Sequence, residues 1–213
     1  DGASVRAITA AAGANLGAIT YHFGSKRAFY DRVVESCLLP LAERVEAIHR
    51  GGGSAFDRIG EIVASIIDHV LQVPELPRLM MQELAVGREP PAAAVAPVRR
   101  ILSVLSSLVR SGQASGAIRP GDPLILAISI VSHPIHIGLV QSALPGLTGL
   151  DLDDPSVRAR VRENAVAFVR GGLAAAAFAV AYLLRAAGDA MELGGGFLSW
   201  LSPVGWAQQT RVY

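Results

Sequence analysis

The stretch from Val5 to Lys26, VRAITAAAGANLGAITYHFGSK, constrains this chain more than any other. Ser4 is placed to cap a short helix whose apolar side is Val5, Ile8 and Ala12. Gly13 follows at once, where a left-handed residue ends a helix without steric penalty. Asn15 can cap a second helix, on which Ile19 and Phe23 lie four apart and share the inward face. Leu16, Gly17, Thr20 and Tyr21 are then left together on the outer side. Gly24 and Ser25 stop this helix, and Ser25 can cap a third that begins at Lys26. Two short helices around a tight turn are the architecture of a module whose second helix enters the major groove of DNA.

The residues Ala12-Gly13, the small pair Gly17-Ala18, Ile19 and the run Tyr21-His22-Phe23-Gly24-Ser25-Lys26 resemble the DNA-binding domain of TetR-type transcriptional repressors. The resemblance implies an all-α fold, with a helix-turn-helix domain and its connecting helix over 1–49 and a helical effector-binding and dimerisation domain over 50–170; the remainder, 171–213, reads as an atypical tail outside it. In the resembled family a further helix precedes the motif, so a chain that opens on Asp1 is expected to be a truncated form.

The resemblance also implies roles, residue by residue. Ser4 and Arg6 open the first helix, and Arg6 can reach a guanine through two hydrogen bonds. Asn15, Leu16, Gly17 and Thr20 face the groove, where Gly17 lets the backbone approach and Thr20 offers a methyl or a hydroxyl to a base. Tyr21, His22 and Lys26 hold phosphates, Lys26 with help from the helix terminus at Ser25. Blander roles compete: His22 capping carbonyls, Tyr21 packing within the domain, Arg6 as a solvated helix charge. The expected partners are a palindromic double-stranded DNA operator, a second copy of the chain and a small apolar effector that releases the DNA.

Charge does not by itself point to nucleic acid. The net charge is +1, and charged residues are 17% of the chain against 51% hydrophobic. Between Asp1 and Val34, Arg6, Lys26, Arg27 and Arg32 face Asp1 and Asp31, a mild excess, so any attraction is local. Cys37 is the one cysteine, which excludes an internal disulfide and fits a reducing cytoplasm. It is expected to pack as a small hydrophobe.

The rest of the chain reads as helices and breaks. Lys26 to His49 is one helix with Phe29, Val33, Leu38, Leu39, Leu41, Val45 and Ile48 on its apolar side, bent or broken at Pro40. After Gly51-Gly52-Gly53-Ser54 comes Phe56 to Val73, with Ile59, Ile62, Val63, Ile66, Ile67 and Val70 inward. Pro74 and Pro77 bracket a turn before a short helix from Leu79 to Val86, which Pro90-Pro91 ends. Val95 to Ser111 is amphipathic, and Gly112 to Pro123 is a polar loop. Leu124 to Leu144 is almost wholly apolar and long enough to span a membrane, but His133, Pro134 and His136 at its centre favour a buried dimer helix kinked at Pro134. Pro145 to Pro155 is a loop, and Val157 to Arg170 a helix with Val161, Ala165, Phe168 and Val169 inward.

Helices 124–144 and 157–170 are expected to form the dimer face, and the middle helices to enclose an effector pocket lined by Phe56, Met80, Met81, His133, His136 and Gln141. The alternative is that the methionines are core and the histidines satisfied interior groups. His133 and His136 have no cysteine or carboxylate nearby to complete a metal site, so neither metal nor cofactor is expected. No Gly-rich phosphate loop, no Cys/His pair with a supporting acid and no paired carboxylates in an apolar setting suggest an enzyme. Remaining alternatives are a helical interaction protein without DNA binding and a transporter fragment joined to a regulator. The second arises from the tail, where composition changes at Gly171-Gly172 and Ser199 to Gln209, SWLSPVGWAQQ, resembles the permease subunit of an ABC-type exporter.

Overall fold

The computed structural model describes residues 4–85, 87 and 89–175. The tail from 176 onward, with both tryptophans and the permease-like segment, lies outside the described residues, as does Val86.

Among the described residues the chain is helical, with one isolated bridge between Ile118 and Ala174. The helices are α1 Val5–Ala11, α2 Ala18–Phe23, α3 Lys26–Arg50, α4 Ala55–Gln72, α5 Glu75–Ala85, α6 Ala92–Ala114, α7 Pro123–Val140, α8 Leu144–Thr148 and α9 Pro155–Leu173. Helix α4 is the central post. Ile59, Ile62, Val63 and Ile67 on it are fully enclosed, each contributing roughly 1.5–3 kcal/mol by burial. Helices α3, α6, α7 and α9 pack around α4, and α3 also runs along α6. A smaller cluster of Val34, Leu38, Leu76 and Ala94, with half-buried Cys37 at its edge, joins the start of α3 to α5 and α6.

Several expected boundaries move. Helix α3 continues through Pro40, because the proline is exposed and the Ser36 carbonyl it leaves without a partner is on an exposed residue. Leu38, Leu41 and Ala42 hold the buried side intact. Val34 is enclosed where Val33 was expected, and Val33 is exposed. Pro77 sits in the first turn of α5, where its missing N–H has no helical acceptor to lose, so α5 begins at Glu75. Helix α6 runs on to Ala114, into the expected loop, and closes over Ile118. Helix α7 starts one residue early, at Pro123 under an Asp122 cap, and stops at Val140, leaving α8 as a separate turn in the expected loop. Helix α9 extends to Leu173, past the composition change at Gly171. Its end is held because Arg119 donates from its backbone N to the Leu173 carbonyl at 2.9 Å and from Nε to the Gly172 carbonyl at 2.8 Å. Phe168, expected inward, is exposed.

Candidate functional site

Helix α1 is capped as its sequence suggests: the Ala7 N–H donates to Ser4 Oγ at 3.1 Å. Its buried residue is Thr9, whose hydroxyl donates to the Val5 carbonyl at 2.9 Å. That internal bond makes burial of a threonine inexpensive. Val5 and Ile8 are half-buried and Ala12 is exposed, so the inward side is rotated from the one expected. Gly13 takes φ +62°, and the chain turns there.

Asn15 does not cap α2. Its Oδ1 accepts from the Gly17 N–H at 2.9 Å, forming a turn ahead of the helix, and Gly17 occupies the cap position without a side chain. Ile19 is buried beneath α2. Phe23, expected beside it, is 38% exposed and meets Phe29 edge-on at 5.0 Å. As the last residue of a six-residue helix, it leans on the next helix rather than into the core. Gly24 takes φ +78°, and Ser25 Oγ accepts from the Ala28 N–H at 3.1 Å. The neighbouring N–H groups of Lys26 and Arg27 lie at the open, partially positive end of α3.

All nine expected DNA contacts are exposed: Ser4, Arg6, Asn15, Leu16, Gly17, Thr20, Tyr21, His22 and Lys26. Leu16 is half exposed and Tyr21 is 85% exposed, so the protein's own core covers neither. Tyr21 and His22 meet edge-on at 4.9 Å.

The six expected effector residues do not come together. Met80 and Met81 line a chamber of about 180 Å³ between α3, α4, α5, α6 and α7, walled by Leu38, Ile66, Ile101 and Val131 among others. Phe56 lies at the far end of α4 under the Arg170 guanidinium, 4.6 Å from its ring centre. Fourteen residues of helix, about 20 Å, separate it from Val70 in the chamber wall. Val131 and Ile135 carry α7 into the chamber, and at 100° per residue His133 and His136 fall on other sides. His133 stacks on Phe168 at 4.5 Å, while His136 is exposed. Gln141 borders a separate recess with Arg158 and Asp151. Among the described residues no three His, Cys, Asp or Glu side chains cluster as metal ligands.

Among the described residues the chamber wall carries one polar residue, which the sequence reading missed. His69 interrupts the apolar stripe of α4 between Ile66 and Val70; its Nε2 is buried without a partner, and burial holds the ring below the usual histidine range. A lone histidine inside an apolar helical stripe was the available signal.

Outside the chamber, Leu124, Ile125 and Ile128 on α7 and Phe168 on α9 are each about half exposed or more. Helices α6 and α7 are long and apolar enough to cross a membrane, with mean hydropathy 1.5 and 1.8. Both are packed against α4, and α6 carries Arg99, Arg100 and Arg110.

The chain matches the family described as bacterial regulatory proteins, tetR family, over residues 1–33, and the tetracyclin repressor-like C-terminal domain over residues 57–169. The second match alone spans more than half of the chain. No curated protein shows significant similarity. Among solved structures, a tetR-family regulatory protein from Rhodococcus RHA1 is 21% identical, with 78% of this chain and 86% of that one aligned at a TM-score of 0.61. NemR of E. coli in its reduced form is 18% identical, covering 81% and 87% at 0.58. FadR of Bacillus subtilis, in complex with stearoyl-CoA, is 14% identical, covering 80% and 88% at 0.61. These identities establish a shared fold. Neither family match extends past residue 169, and the likeness of the tail to a permease gains no support from them.

Proposed function

Because the chain belongs to the TetR family of bacterial regulatory proteins, we propose that it is a ligand-responsive repressor that binds a palindromic operator as a dimer. The observation that carries this reading is the disposition of α2: Ile19 is buried beneath it while Leu16, Gly17, Thr20 and Tyr21 stay uncovered. In this reading Arg6 selects a base pair, Asn15 shapes the turn that brings Leu16 and Gly17 into the groove, and Thr20 contacts a base. Ser4, Tyr21, His22 and Lys26 hold phosphates, Lys26 beside the open N–H groups of α3.

One such reader buries too little surface to find a site in a genome, so two are required. The exposed Leu124, Ile125, Ile128 and Phe168 support a dimer face on α7 and α9, contributed by both copies. The chamber around Met80, Met81 and His69 is the proposed effector site, in place of the wider set drawn from sequence. The domain division follows: reader and connecting helix over 1–49, effector and dimer domain over 50–170, and a tail over 171–213. An effector releases DNA by binding more tightly to a spacing of the two readers that does not fit the operator. FadR of B. subtilis holds stearoyl-CoA, which supports a ligand with a long alkyl chain for this fold. A regulator of this kind works in the cytoplasm, where Cys37 stays reduced, and no catalytic role is proposed.

Selection of bound duplexes from random DNA tests the reading. Recovery of a two-fold symmetric site supports it, and failure to enrich any sequence contradicts it.

A further inference from the structure

A second, wider space opens beside the inner chamber. It is a groove of about 540 Å³ along α6, and Met80, Leu84, Val98 and Leu102 line both spaces, so these side chains form the partition between them. The α6 wall of the groove carries Arg99, Ser103 and Ser106, spaced i, i+4 and i+7, which puts the three in one line along the helix. Arg99 is the charged member of this lining among the described residues, and no carboxylate of theirs lines the groove with it. Among the described residues Arg99 has no ion-pair or hydrogen-bond partner, whereas its neighbour Arg100 is held by Glu46.

Ser106 gives a second, independent sign. Its Oγ is buried and has no partner. Serines in helices commonly satisfy themselves on the carbonyl four residues back. Ser129 and Ser132 of α7 do so at 3.0 and 2.8 Å. Ser106 does not, and a hydroxyl left unmatched beside a groove is a group that a bound molecule can complete. The inner chamber has the opposite character, since Leu38, Ile66, Leu76, Met81 and Ile101 surround a single neutral polar residue, His69.

We propose that the effector is an amphipathic monocarboxylate, with its alkyl end in the inner chamber and its carboxylate on Arg99 in the groove. This rests on the reading of the chamber as the effector site. Ser103 and Ser106 border the head group, and rotation of the flexible Met80, which lies in the partition, joins the two spaces as the alkyl chain passes. An ion-assisted hydrogen bond to a guanidinium in a mostly apolar groove favours the acid over the alcohol of the same chain.

Calorimetric titration of the full 213-residue chain, without DNA, with decanoate and with 1-decanol tests this. Decanoate is expected to bind about tenfold tighter than 1-decanol. Arg99→Gln should abolish that preference, and Arg99→Lys should restore part of it. Equal affinities for acid and alcohol, an acid preference that survives Arg99→Gln, or no binding of either ligand would overturn the proposal. A parallel operator-binding assay separates the two readings. Carboxylate binding by a chain that ignores DNA defeats the repressor reading alone, and DNA binding released by other apolar molecules without any acid preference defeats the ligand class alone.

Discussion

Arg100 of α6 grips Glu46 of α3 through two parallel hydrogen bonds, Nε to Oε1 at 2.7 Å and Nη2 to Oε2 at 2.8 Å. The pair joins the helix that begins at the DNA reader to the helix that walls the proposed effector site. Glu46→Gln is expected to leave the protein folded, because both side chains are about a third exposed and such pairs add little stability. The effect should appear in coupling: the ratio of operator affinities without and with effector shrinks toward one. The Arg100 hydrogen bond also holds the Glu46 carboxyl below the usual carboxylate range. The pair's contribution is therefore present above the ordinary glutamate pKa, about 4.3, and is lost as pH falls through the lowered value. A fluorescence titration of operator with and without effector checks the coupling.

Lys26→Ala is expected to weaken binding to every duplex alike and to reduce the slope of log affinity against log salt by about one. Arg6→Ala should instead cost about 1–3 kcal/mol on the preferred site and little on others, relaxing selectivity. Salt-dependent anisotropy titrations on matched and scrambled duplexes separate the two effects.

Gly138→Ala should destabilise the protein. The added Cβ would meet Val70 Cβ at 2.9 Å and Cγ2 at 3.1 Å, atoms too close to the backbone of α4 to swing away. Overpacking of this kind costs about 1–3 kcal/mol, more than the roughly 0.5–1 kcal/mol that alanine gains over glycine in a helix. Gly171→Ala, where the new atom meets nothing within 4 Å, should gain that smaller amount. Thermal melts of the two variants should move in opposite directions.

Much of this fold can be read from the residues, and the exceptions have physical causes. The stripe Ile59, Ile62, Val63, Ile66, Ile67 and Val70 is fully buried as its period demands, because α4 is surrounded and nothing competes with that face. Gly24 stops α2 and Ser25 starts α3 as their chemistry suggests. Pro40 does not break α3: the carbonyl it orphans is on exposed Ser36, and which side of α3 meets water is known only after packing. The effector set scattered for a similar reason. Composition marks methionine and histidine as pocket residues, but distance along α4 and rotation around α7 decide which reach one space.

His69 should make stability fall in acid. Burial lowers its pKa in the folded state, so the unfolded chain binds the extra proton. The favourable contribution of the neutral ring is full above the unfolded value, about 6.5, and declines as pH drops toward the lowered one. His133 shifts the same way, by burial and then by His136, so it adds to the decline. Denaturant melts from pH 8 to 5 should show His69→Gln less sensitive to acid than the native chain.

Ile125→Glu, on an α7 residue that is 64% exposed in one copy, should convert a dimer into a monomer without loss of helix content. Light scattering with circular dichroism reads both properties in one sample.

The most direct test is nuclear magnetic resonance of the labelled chain as an operator duplex is added. The backbone signals of Leu16, Gly17, Thr20 and Tyr21 should move together as DNA binds, with a weaker response at buried Ile19. Signals that stay still while the duplex is bound through another surface, or a chain that fails to bind duplex DNA even in dilute salt, would contradict the account.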